Sequence, residues 1–104
     1  VVGTPYYMAP EVMNNSPYSY PADVWSLGCV VYELCNLTSP FYERNSSLYQ
    51  LFNKIKSGTF APVDSSYGPE MQELVSAMVS QETSHRPTMG QVRAVVAQQL
   101  QMLH

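Results

Sequence analysis

The segment from about Pro21 to Leu37 limits what this chain can fold into more than any other. Its apolar residues Val24, Trp25, Leu27, Cys29, Val30, Val31, Tyr32, Leu34 and Cys35 would point in every direction from a helix. A helix that is apolar all round is a buried one. The flanks fit a helix start, with Ser19 placed as cap and Pro21 tolerated in the first turn. Burying such a helix takes neighbours on all sides, and 104 residues supply few of them. The chain is therefore expected to be a piece of a larger body.

Composition points the same way. Hydrophobic residues make up 45% and charged residues 12%, against roughly 25% charged in an ordinary soluble domain. The net charge of −3 is modest and no Lys/Arg cluster stands out, so neither nucleic acid nor a membrane surface is expected as a partner. The longest apolar run, Leu27 to Tyr32, is far too short to span a bilayer. Cys29 and Cys35, six apart, fall on different faces of the helix, which argues for free, buried thiols in a reducing compartment. The triplets Asn14-Asn15-Ser16, Asn36-Leu37-Thr38 and Asn45-Ser46-Ser47 match the glycosylation sequon. No signal peptide accompanies them, and they are expected to be unmodified.

Helical signals dominate elsewhere. Ala9 to about Met13 reads as a short helix stopped by Asn14-Asn15-Ser16-Pro17. Ser47 with Gln50 forms a capping box, Leu48, Leu51, Phe52 and Ile55 follow at helical spacing, and Gly58 ends the run. A loop with Pro62 and Gly68 leads to Pro69. There Met71, Leu74, Val75, Met78 and Val79 form an amphipathic stripe. Thr88 and Gln91 make a second capping box, opening a helix with Met89, Val92, Val96 and Leu103 on one side. No period-2 strand pattern emerges. The predicted fold is mostly helical.

The first eleven residues end in Ala9-Pro10-Glu11, the element that closes the activation segment of protein kinases. Gly3-Thr4-Pro5-Tyr6-Tyr7-Met8-Ala9-Pro10-Glu11 resembles the substrate-docking loop of serine/threonine kinases, whereas tyrosine kinases carry a different loop there. Asp23-Val24-Trp25-Ser26-Leu27-Gly28-Cys29 is similar to the family's Asp-x-Trp-Ser-x-Gly segment on its buried central helix, and Tyr32-Glu33-Leu34, Pro40-Phe41 and Arg86-Pro87-Thr88 follow in family order. Within that superfamily the chain looks most like the NIMA-related kinases. The resemblance implies a mostly α segment of the C-terminal, large lobe of the α+β kinase fold, running from the end of the activation segment through the last helix. Residues 1–104 would then be a partial kinase domain. The parent would transfer the terminal phosphoryl of ATP to Ser or Thr of protein substrates, using Mg²⁺.

The family's Gly-rich loop, nucleotide lysine and catalytic and metal-binding aspartates precede this point. No residue of the fragment is therefore expected to bind ATP or Mg²⁺, and the fragment alone is expected to be inactive. The other reading is a pseudokinase or truncated lobe acting as a protein-binding module. Besides protein substrates, the expected partner is the upstream part of the same kinase domain. A cytoplasmic location is expected, with cytoskeletal association open.

The resemblance also implies roles for individual residues. Thr4 would support the catalytic loop by bonding its aspartate and lysine, since phosphoryl transfer depends on positioning; as a lone residue it is a turn threonine beside Pro5. Val1, Pro5 and Met8 would form an apolar pocket for the substrate residue after the acceptor, with Gly3 also among the substrate-binding positions. Glu33 stands where some kinases recruit a basic substrate side chain, although a solvent-facing helix glutamate is the simpler reading. Asp23 would accept bonds from the catalytic loop, and it also suits the helix dipole of a first turn. Glu11 and Arg86 would pair as a buried, bidentate ion pair. Tyr6 and Tyr7 read as packing residues with bonded hydroxyls, and Trp25 as core. The family's usual proline is missing from Ser80-Gln81-Glu82-Thr83-Ser84-His85, so a looser loop is expected there.

Overall fold

The computed structural model of the chain describes residues 6–17 and 19–102. Among the described residues five α-helices follow one another: α1 (Pro10–Met13), α2 (Tyr20–Asn36), α3 (Leu48–Ser57), α4 (Pro69–Met78) and α5 (Met89–Met102). Short 3₁₀ turns at Ser65–Tyr67 and Thr83–His85 precede α4 and α5. The described residues contain no β-strand. The mostly helical content matches what the sequence predicts.

The helix ends show why these residues stop and start where they do. Both halves of the α3 capping box are present, Gln50 N–H donating to Ser47 Oγ at 3.1 Å and Ser47 N–H to Gln50 Oε1 at 2.7 Å. Gly58 closes α3 at φ 69°, a left-handed conformation that glycine adopts without steric cost. Thr88 and Gln91 exchange the same two bonds at 2.8 and 3.1 Å to open α5. Ser19 departs from expectation. It occupies the N-cap of α2, yet its side chain caps nothing. Pro21 removes one donor of the first turn, and Ala22 N–H is taken by the Ser19 backbone carbonyl at 3.0 Å. At the other end Leu37 is left-handed at φ 63°. Asn36 secures that corner, donating to Pro62 O at 3.0 Å and accepting from Asp64 N–H at 2.9 Å.

The core gathers Ala22, Val24, Trp25, Cys29 and Tyr32 of α2, Leu51 and Ile55 of α3, Leu74, Val75 and Met78 of α4, Val92 of α5, and Ala9, Phe41, Val63 and Val79 from the segments outside the helices. Tight contact between α2 and α4 is possible because Gly28 faces Met78 and Val79 with no side chain between. Tyr20 Oη accepts from Met89 N–H, tying the starts of α2 and α5 together.

Four expectations need correction. α2 is buried on one face only: Leu27 and Val30 are exposed, Leu34 is 72% exposed and Leu37 beyond it 88%. The packing partners within these residues reach a single side of the helix. On α5, Val96 lies exposed while Val92 and Val95 meet the core, and Leu103 falls outside the described residues. Cys29 is buried but Cys35 is only half-buried, both as free thiols. Finally, the proline-free loop is tied down. Its 3₁₀ turn carries His85 N–H to Glu82 O at 3.0 Å, and Gln81 Nε2 donates to Ile55 O.

Candidate functional site

Arg86, just after the Thr83–His85 turn, makes four side-chain hydrogen bonds with 1% of its side chain exposed. Nη1 and Nη2 donate to the two oxygens of Glu11 at 2.7 and 2.9 Å, a bidentate fork. Nη1 also donates to Pro21 O, and Nε to Ser80 O, each at 2.9 Å. The guanidinium carbon lies 5.0 Å from the centroid of the Trp25 ring, which itself stacks on Phe41. One arginine thus binds α1, the first turn of α2 and the chain after α4. The Arg86 hydrogen bonds hold the Glu11 carboxyl below the usual carboxylate range, against a smaller opposing push from burial. Sequence reasoning missed the two carbonyl acceptors and the role of Trp25 as platform. A backbone carbonyl carries no residue signature, so no signal in the sequence points to them.

The chain leading into this anchor lies along α2. Ala9 is buried and Met8 half-buried. The Tyr7 carbonyl accepts from Ser26 Oγ at 2.8 Å, and the Tyr7 phenol donates to Glu33 Oε1. That bond, with some burial and the nearby Glu33 charge, raises the Tyr7 pKa, because it favours the protonated phenol. The Tyr7–Glu33 contact separates two shallow grooves. One of about 400 Å³ is lined by Val30, Leu34 and Leu37, the other of about 280 Å³ by Tyr6, Thr38, Ser39 and Tyr42. Tyr6 meets Tyr42 edge-on at 5.9 Å. Glu33 is half-buried and bonded to Tyr7, and Asp23 is exposed in the first turn of α2. The structure therefore brings Glu11 to Arg86, and Glu33 to the Tyr7–Met8 segment. Val1, Gly3, Thr4 and Pro5 lie outside the described residues, as does His104. Ser26 was not singled out from sequence, since a helix serine beside a tryptophan carries no mark of its distant acceptor.

An activation-segment end pinned by an Arg–Glu fork above a tryptophan-bearing central helix is the large-lobe architecture of a kinase. The protein kinase domain family matches residues 1–98. The chain belongs to that family. Its relatives are NIMA-related: it is 44% identical over 94 residues to serine/threonine-protein kinase Nek8 of Danio rerio, covering 90% of this chain and 13% of that protein. It is 42% identical over 91 residues to Nek5 of Homo sapiens, with 88% and 13% covered, and 41% identical over 91 residues to human Nek2, with 88% and 20% covered. The chain thus spans about one-eighth to one-fifth of the length of these relatives.

Proposed function

We propose that these 104 residues are the substrate-docking end and helical lobe of a serine/threonine protein kinase domain that transfers the terminal phosphoryl of ATP to protein hydroxyls. The observation carrying this reading is the Arg86 anchor, whose four hydrogen bonds fix the end of the docking loop at the head of α2. Family membership and the names of the relatives support the reaction. Among the described residues no three His, Cys, Asp or Glu side chains converge as metal ligands do. In this reading the work of this region is binding and positioning, and ATP and Mg²⁺ are held by other parts of the domain. Expressed alone it would bind no nucleotide.

In this reading Thr4 orients the acceptor hydroxyl from below the catalytic loop, and Asp23 holds that loop's backbone. Val1, Pro5 and Met8, with Gly3, receive the substrate residue after the acceptor. Glu33 offers its remaining lone pairs to a basic substrate side chain while it holds Tyr7. The exposed apolar row Leu27, Val30, Leu34 and Leu37 would be covered by the rest of the same domain, since so much contiguous apolar surface marks a contact face. The free thiols of Cys29 and Cys35 favour a reducing, cytoplasmic location.

The test is a peptide assay with the full-length protein and Mg²⁺-ATP. Phosphate should appear on Ser or Thr. Thr4→Ala should lower kcat far more than Tm, and Met8→Asp should weaken peptides with an apolar residue after the acceptor. A full-length protein that binds peptide but transfers no phosphate would favour the binding-module reading.

A further inference from the structure

Tyr7 is held at both of its ends by one face of α2. Ser26 and Glu33 stand seven residues apart, two helical turns and about 10 Å along the axis. A helix serine commonly either points to solvent or bonds back to the carbonyl four residues earlier. Ser26 instead spends its proton on the Tyr7 carbonyl at 2.8 Å, an acceptor 19 residues away. Glu33 takes the phenol of the same residue. On the other side of Met8 the chain is fixed again, by buried Ala9 and by Glu11 in the grip of Arg86. Met8 therefore hangs between two anchors, one of which is the Ser26 hydroxyl.

Building on the docking-loop reading above, we infer that Ser26 is a positioning residue for substrate, setting where Met8 meets the peptide by clamping the Tyr7 backbone to α2. The hydroxyl touches neither peptide nor nucleotide. It acts through Tyr7, and its loss frees the backbone just before Met8 while leaving the Arg86 anchor intact. Ser26 is half-buried and lies outside the core, so removing one oxygen there leaves the packing of α2 on α4 untouched.

The experiment compares Ser26→Ala and Ser26→Thr in the full-length protein. A single hydrogen bond contributes about 1 kcal/mol net, or roughly fivefold in an equilibrium. Ser26→Ala should raise the peptide KM by roughly fivefold, with the ATP KM unchanged and Tm lowered by a few degrees at most, and the preference for an apolar residue after the acceptor should flatten. Ser26→Thr, which keeps the hydroxyl, should restore both. An unchanged peptide KM, or a KM rise that Thr fails to rescue, overturns the clamp. Hydrogen exchange reads the same contact without catalysis: amides of residues 6–9 should exchange faster in Ser26→Ala while those of α2 do not. Equal exchange in that segment overturns the inference even for a protein that proves inactive, whereas absent phosphoryl transfer with faster exchange rejects only the kinase reading.

Discussion

Arg86 is held over the indole of Trp25 at 5.0 Å while its two terminal nitrogens grip Glu11. A desolvated guanidinium over a tryptophan face gains about 2 kcal/mol or somewhat more from the ring. That attraction alone cannot offset the removal of a charge from water. The Glu11 carboxylate and the Pro21 and Ser80 carbonyls supply the remainder, so the cluster is stable as a set and costly to break singly.

Removing either charge should therefore be severe. Orphaning one partner of a fully buried pair costs about 3–5 kcal/mol; Arg86 is buried but Glu11 only half-buried, which places the losses toward the lower end. Arg86→Ala should be worse than Glu11→Ala, because it also strands two carbonyls, whereas Glu11→Ala leaves arginine its carbonyl partners and the indole. The double mutant should resemble Arg86→Ala alone. Arg86→Lys should recover part of the loss, since lysine reproduces the charge but neither the fork nor the stacking. Denaturant unfolding of the full-length protein gives the cycle. Strictly additive losses would mean that the two residues do not act on each other.

The same pair predicts an acid sensitivity of definite sign. Glu11 titrates below its ordinary value because Arg86 holds the charged form. Its contribution is present above the unfolded carboxylate pKa of about 4.3 and is lost as pH falls through the lower folded value. Stability should thus hold from neutral pH to about pH 5 and decline below about pH 4. Glu11→Gln should start lower at neutral pH and show a shallower decline. A decline as steep as that of wild type would assign the acid sensitivity to other carboxylates.

How much of this was open to the sequence depends on whether the information is local. The boxes Ser47/Gln50 and Thr88/Gln91 lie three residues apart and are legible because donor, acceptor and spacing share one turn. Ser19 carries the same kind of signal, yet a proline two residues on cancels it. The Glu11–Arg86 contact crosses 75 residues, so only the family resemblance could join the two. Its further acceptors, Pro21 O and Ser80 O, stay hidden in both approaches. The apolar residues of α2 told of burial without telling which face finds a partner within these residues.

The two thiols should react very differently. Burial pushes Cys29 up to about 12, so almost no thiolate exists at neutral pH and no reagent reaches it. Cys35 is raised too, again chiefly by burial, but it remains half-buried at the exposed end of α2. Since the thiolate is the nucleophile, iodoacetamide at pH 8 should label Cys35 slowly and Cys29 only after unfolding. Mass spectrometry of tryptic peptides distinguishes them. Equal labelling of both in the folded protein would contradict the packing of Cys29 in the core.

Gly28 tests the central crossing of α2 on α4. Glycine inside a helix is usually a liability, and alanine there typically stabilises by about 1 kcal/mol. Here a methyl group at Gly28 would sit 2.7 Å from Met78 Cβ and 2.9 Å from Val79 Cγ2. Met78 Cβ is fixed to the α4 backbone and cannot rotate away, so the two helices would have to separate. Forcing an extra carbon into a packed core costs about 1–3 kcal/mol, and a clash with a carbon that cannot rotate away takes the upper half of that range, which exceeds the propensity gain. Gly28→Ala should therefore destabilise the full-length protein by about 1–2 kcal/mol, lowering Tm by several degrees. Adding Val79→Ala removes one of the two clashing carbons and should return part of that loss, even though Val79→Ala alone destabilises by opening a small cavity. A Gly28→Ala variant as stable as wild type would mean that α2 and α4 are not in the close contact described.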